Sequence, residues 1–232
     1  MLVPLPVDAA IAPLREALRE RRAAVLVAAP GAGKTTRVPP ALADAGSVLV
    51  LQPRRAAARA LARRVADERG WTLGREVGWH VRFEPRFSRE TRVVFATEGI
   101  LTARLQQDPL LSDVTTLILD EFHERSVHAD LGLALARQAW LARDDIRLVV
   151  MSATIDPRPV AAFLDDCPVL EVPGDPHPLT IEYEPETRLP AVVDRVVRER
   201  QGNVLVFLPG AREIDEALRE VRGVASRHGI DV

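Results

Sequence analysis

An α/β fold with a central, mostly parallel sheet is predicted by two features of the sequence. Short runs rich in Val, Ile and Leu lack polar alternation, and stretches of helical length lie between them. The runs cover 23–28, 47–51, 92–96, 115–119, 146–151 and 203–208, and unbroken apolarity over so few residues marks strands buried on both faces. The helical stretches cover 55–69, 98–107, 129–142 and 189–200. The order along the chain is therefore largely βαβα, with helices expected on both sides of the sheet. Ahead of the first run, Asp8 is placed to cap a helix whose apolar residues Ile11, Leu14 and Leu18 recur at helical spacing, with Arg21 and Arg22 suiting its C-terminal end.

With 232 residues, 47% hydrophobic and 28% charged, the chain has material for one well-buried domain and part of another. Pro173, Pro176, Pro178, Pro185 and Pro190 crowd the stretch 172–190, which reads as an interdomain linker with its boundary near 174–178. Residues 1–174 are thus expected to form a first domain, and 175–232 a linker and the incomplete start of a second. That remainder is shorter than the ~100 residues of a full α/β domain. The apolar N-terminus lacks a basic leader region, and no apolar run approaches the ~20 residues that cross a bilayer. A lone cysteine, Cys167, excludes an intrachain disulfide, so the cytoplasm is the expected compartment. A formal net charge of -2 excludes a uniformly basic polyanion binder and leaves only local basic patches. Among 31 Lys plus Arg, Lys34 is the single lysine.

That lysine lies in a glycine-rich loop, Ala28-Ala29-Pro30-Gly31-Ala32-Gly33-Lys34-Thr35-Thr36, between a predicted strand and a predicted helix. The spacing matches a phosphate-binding P-loop except at Ala28, where glycine is usual. Backbone N–H groups near Gly31 and Gly33 form a concavity, and the helix start adds a field that favours anions. Lys34 would reach the β- and γ-phosphates of ATP, and the Thr35 hydroxyl would ligate Mg²⁺. A second constellation, Leu117-Ile118-Leu119-Asp120-Glu121-Phe122-His123-Glu124-Arg125, ends an apolar run in two adjacent carboxylates. There Asp120 can hold the Mg²⁺ shell while Glu121 orients and deprotonates the attacking water. Parallel sheets bring such strand ends to one edge, where ligands bind.

These two motifs, with Asp-Glu-Phe-His followed by Glu-Arg-Ser, resemble motifs I and II of the DEAH/DExH-box superfamily 2 helicases. Other segments follow in that family's order: Gln52-Pro53-Arg54-Arg55 resembles motif Ia, Thr97-Glu98-Gly99 motif Ib, Ser152-Ala153-Thr154 motif III, and Leu205 to Gly210 motif IV. The stretch Val77 to Phe83 also fits, and the sequence is similar to the bacterial HrpB type of this family over essentially its whole length. The resemblance implies a RecA-like P-loop domain followed by the start of a second one. It implies that Arg54, Arg55, Thr97 and Glu98 grip the backbone of single-stranded RNA or DNA, and that Ser152 and Thr154 couple the nucleotide site to that grip. His123 would join the catalytic set by linking motif II to the second domain, and Arg64 would stack on adenine. No glutamine-centred motif precedes the P-loop, which implies weak base selectivity.

Motifs V and VI are not found after Gly210, so the chain is expected to be a truncated piece that needs the remainder of a helicase chain. It is then expected to be a weak ATPase, since an arginine finger contributes ~10³ to 10⁵ in rate. The reading preferred is a helicase module acting on nucleic acid, with RNA ahead of DNA. A P-loop ATPase that remodels protein, and a non-enzymatic interaction module, are its rivals.

Overall fold

The computed structural model describes residues 3–174, 179–199 and 202–232. Its strands are β1 (Ala23–Ala28), β2 (Val48–Gln52), β3 (Val77–Val81), β4 (Glu84–Arg86), β5 (Val93–Thr97), β6 (Thr116–Leu119), β7 (Arg147–Ser152) and β8 (Val169–Val172). They form one sheet in the order β4-β3-β5-β2-β6-β7-β1-β8. Only the β3–β4 pair is antiparallel. The helices are α1 (Ile11–Glu20), α2 (Lys34–Leu42), α3 (Arg55–Arg69), α4 (Glu98–Gln107), α5 (Val127–Ala142), α6 (Arg158–Phe163), α7 (Leu189–Glu199) and α8 (Ala211–His228).

Alternation along the central strands explains both the apolar runs and the layers. Ala24, Leu26, Val48, Val50, Ile118, Val149 and Met151 point to one face, where they meet Leu14 and Leu18 of α1, Val38 of α2 and Ala58, Ala62 and Val65 of α3. Their neighbours Val25, Leu49, Leu51, Leu117, Leu119, Leu148 and Val150 point to the other, against Leu101 of α4, Leu133 and Trp140 of α5 and Val160 of α6. Successive strand side chains take opposite faces, so a strand covered on both sides must be apolar at every position. Each large aliphatic buried in this way contributes about 1.5–3 kcal/mol.

Several elements depart from the sequence expectation. Strands β3, β4 and β8 were not foreseen: Gly78 and His80 interrupt β3, β4 is an exposed edge piece containing Pro85, and Glu171 breaks β8. The predicted strand at 203–208 is not one. Among the described residues no strand runs beside it, and without a ladder its apolar side chains stay outside, Phe207 being 87% exposed. Asp8 does not cap α1; it lies inside a preceding 3-10 turn, Pro6–Ala10, where its carboxylate accepts the Leu5 N–H at 2.8 Å. The α5 helix starts two residues before its predicted first residue because Ser126 caps it, accepting the Ala129 N–H at 2.9 Å.

The described part of the proline-rich stretch beyond β8 holds no helix or strand before α7. Asp175 to Pro178, on which the expected boundary falls, and Arg200, the expected end of a helix, lie outside the described residues. The chain divides into two compact units, 1–176 and 177–232. In the second, α7 packs on α8 through Val193, Val221 and Val224, with Asp194 paired to His228 at 2.9 Å.

Candidate active site

The parallel order places the C-terminal ends of β5, β2, β6, β7 and β1 side by side, and the motif residues follow those ends. Ala28 closes β1 in register with Val172 of β8. The missing glycine therefore falls on extended strand backbone, where a Cβ is no burden. Left-handed backbone is instead required at Gly31 (φ 80°) and Gly33 (φ 88°), a conformation that costs an L side chain roughly 1–2 kcal/mol. A Cβ on Gly33 would also lie 2.5 Å from Leu5 Cδ1. Gly33 opens α2, so the first-turn N–H groups there have no partner within the helix and face the loop.

Lys34 is only 6% exposed and pairs with Glu121, Nζ to Oε1 at 3.3 Å. The Thr35 hydroxyl donates to Asp120 Oδ2 at 2.6 Å, and Gln52 Nε2 donates to the same oxygen at 2.6 Å. Asp120 Oδ1 accepts the Glu121 N–H at 2.9 Å. Burial pushes the Asp120 carboxyl up to about 6, and the Glu121 charge pushes the same way, while Thr35, Lys34 and Gln52 pull it down. Glu121 adopts left-handed backbone (φ 53°), a conformation that costs a non-glycine residue about 1–3 kcal/mol and gathers at functional sites. His123 Nδ1 lies 3.5 Å from Glu121 Oε2 and accepts the Ala153 N–H at 3.4 Å. A neutral ring protonated at Nε2 serves Ala153, whereas a charged ring pairs with Glu121.

A hydroxyl and a carboxylate sharing one contact at the lip of a glycine-rich loop suit Mg²⁺, which takes one or two protein oxygens and draws the rest from phosphates and water. Among the described residues no three His, Cys, Asp or Glu gather into an all-protein metal cage.

A family model described as DEAD/DEAH box helicase matches residues 9–163. The chain belongs to that family. This helicase chain is similar to the ATP-dependent RNA helicase HrpA of Escherichia coli K12, 34% identical across 97% of this chain and 18% of HrpA. Two solved structures of HrpB from Escherichia coli are similar in fold. The DEAH/RHA helicase HrpB has a TM-score of 0.85 and 36% identity over 95% of this chain and 30% of the other. The second, described as a DExH-box NTPase, has a TM-score of 0.76 and 35% identity over 97% and 29%. The helicase chain thus spans less than a third of the length of each of these relatives, and its sheet is that of a RecA-like helicase domain.

Not every residue singled out in the sequence joins this cluster. Ser152 is fully buried at the end of β7, its hydroxyl accepting the Ile155 N–H at 3.3 Å, while Thr154 is exposed. Thr36 makes a 3.5 Å contact with the Gly33 carbonyl, and Pro30 lies exposed beside Gly31. Arg64 sits on the outer face of α3, bound to Glu68 one turn on at 2.6 Å. Arg54 and Arg55 lie exposed at the start of α3, and Thr97 is half-buried at the start of α4. The Glu98 carboxylate accepts the Ser126 hydroxyl, joining α4 to the cap of α5. Gln52, part of a motif in the sequence, makes a contact with Asp120 that the motif pattern does not predict. Its signal was a lone amide closing an otherwise apolar strand.

Proposed function

We propose that this chain binds ATP with Mg²⁺ and forms the nucleotide-hydrolysing module of a helicase that acts on single-stranded nucleic acid. The HrpA relative's name favours RNA. On this reading residues 1–174 are the ATP-binding domain, and 175–232 are a linker and the start of a second RecA-like domain. The observation that carries the proposal is the contact between Thr35 and Asp120, 2.6 Å apart, beside a buried lysine at the start of a helix.

The Thr35 hydroxyl and the Asp120 carboxylate hold Mg²⁺, which when bound neutralises phosphate charge. Lys34 exchanges Glu121 for the β- and γ-phosphates, joined by backbone N–H groups of residues 31–36. That exchange frees the Glu121 carboxylate to orient water and accept its proton. His123 connects this turn to the end of β7 through the Ala153 N–H, and Ser152 and Thr154 at that end relay its state to the strand-gripping side. Arg54, Arg55 and Thr97 contact the sugar-phosphate backbone, which supplies affinity without reading sequence. Glu98 acts there through Ser126, and Arg64 is the candidate partner of adenine.

The test is calorimetric titration of MgADP into the chain and into Lys34→Ala. Binding to the parent and none to the folded variant is expected; equal affinities would overturn the assignment.

A further inference from the structure

The turn after β6 reaches four other parts of the site. Asp120 meets Thr35 and Gln52, His123 meets Ala153, Ser126 meets Glu98, and Glu124 meets Arg54. The last of these has no part in the mechanism above. Arg54 Nη2 donates to both Glu124 oxygens at 3.3 Å each, although its side chain is 73% exposed and free to turn outward. Its neighbour Arg55 has no ion-pair partner among the described residues.

The backbone sets this meeting from both sides. Glu124 ends the 3-10 turn Phe122–Glu124, held between left-handed Glu121 (φ 53°) and Arg125 (φ 42°) and anchored by buried Phe122. Two residues before Arg54, Gln52 is tied to Asp120 of the same turn. A carboxylate presents a guanidinium with the charge and paired oxygens that a phosphate diester presents. We infer that Glu124 is an internal stand-in for a backbone phosphate, held on Arg54 until a single strand displaces it. Glu124 is therefore a positioning residue that sets the grip at Arg54, and this rests on the nucleic-acid reading of Arg54. An exposed pair of this kind is weak enough to be displaced, so it tunes the grip and does not block it.

The test uses the whole chain and a short fluorescein-labelled oligouridylate, with anisotropy read from about 50 to about 200 mM salt. Glu124→Gln is expected to tighten binding by about two- to fivefold and to steepen log K against log salt by about 0.7, the increment of one phosphate contact on a single strand. In an Arg54→Ala background the same change is expected to do neither. A gain that persists without Arg54 would mean only that a negative charge had been removed near a polyanion, and it overturns the inference. So does unchanged affinity in Glu124→Gln when Arg54→Ala weakens binding. No binding by any variant, or binding that Arg54→Ala leaves intact, overturns the nucleic-acid reading of Arg54 itself and the inference with it.

Discussion

Asp120 accepts three hydrogen bonds yet resists ionisation, because full burial beside the Glu121 charge outweighs the donors. The sign of the effect on stability follows from linkage. The carboxyl titrates at about 6 in the fold against 3.8 unperturbed, so within that window the folded state holds a proton that the unfolded state has lost. Stability therefore falls as pH rises through the window, by up to about 3 kcal/mol, and levels off above it. Asp120→Asn removes the proton exchange, so urea unfolding from about pH 4 to about pH 7 should show the parent losing stability relative to the variant. Parallel profiles would mean that the carboxyl is ionised throughout. The residue types here were legible in the sequence, since adjacent carboxylates after an apolar run and a lysine after two glycines each announce themselves. What they touch was not legible.

At the scale of elements, the ends of helices do the positioning. Gly33 starts α2 in left-handed backbone, and Ser126 starts α5 by capping it while donating to Glu98. Ser126→Ala should cost about 1 kcal/mol of stability from the lost cap, read as a lower urea midpoint with an unchanged slope. No shift would show that water replaces the cap at no cost. Gly33→Ala combines the left-handed penalty of roughly 1–2 kcal/mol with a collision against Leu5. It should abolish MgADP binding even where the variant stays folded by circular dichroism, and retained binding would show that the loop rearranges freely. Strands β1, β2, β6 and β7, buried at nearly every position, and α3, whose buried Ala58, Ala62 and Val65 recur at helical spacing, could be placed from the sequence. Strands β3, β4 and β8 could not, since an edge or near-edge position tolerates the Gly, Pro and Glu that erase a strand's pattern.

At the scale of the whole molecule, the two units differ in how much apolar surface each encloses. The first has clusters on both faces of its sheet, while the second has one small cluster of three buried valines at the contact of α7 with α8. Amide exchange should follow that difference. Peptides from β1, β2, β6 and β7 are expected to exchange at the slow limit, and those from α7 and α8 orders of magnitude faster, because local opening there exposes little surface. Equal protection in both would show that the second unit is stabilised by contacts beyond its own small cluster.

Apolar runs of strand length, the two glycines of the loop before Lys34 and the residue content of each motif were properties of the sequence alone. Each is decided by residues within a few positions of one another. The partners of the functional side chains were decided by the tertiary structure: Thr35 meets Asp120 from 85 residues away, Gln52 from 68, and Arg54 meets Glu124 across 70. Those contacts depend on β6 lying beside β2 and one strand from β1, an order that no local periodicity encodes. The apolar run at 203–208 gives the converse lesson. Its pattern is that of a buried strand, but a strand exists only when another backbone accepts its hydrogen bonds, and whether one is present is settled by the fold and not by the run itself.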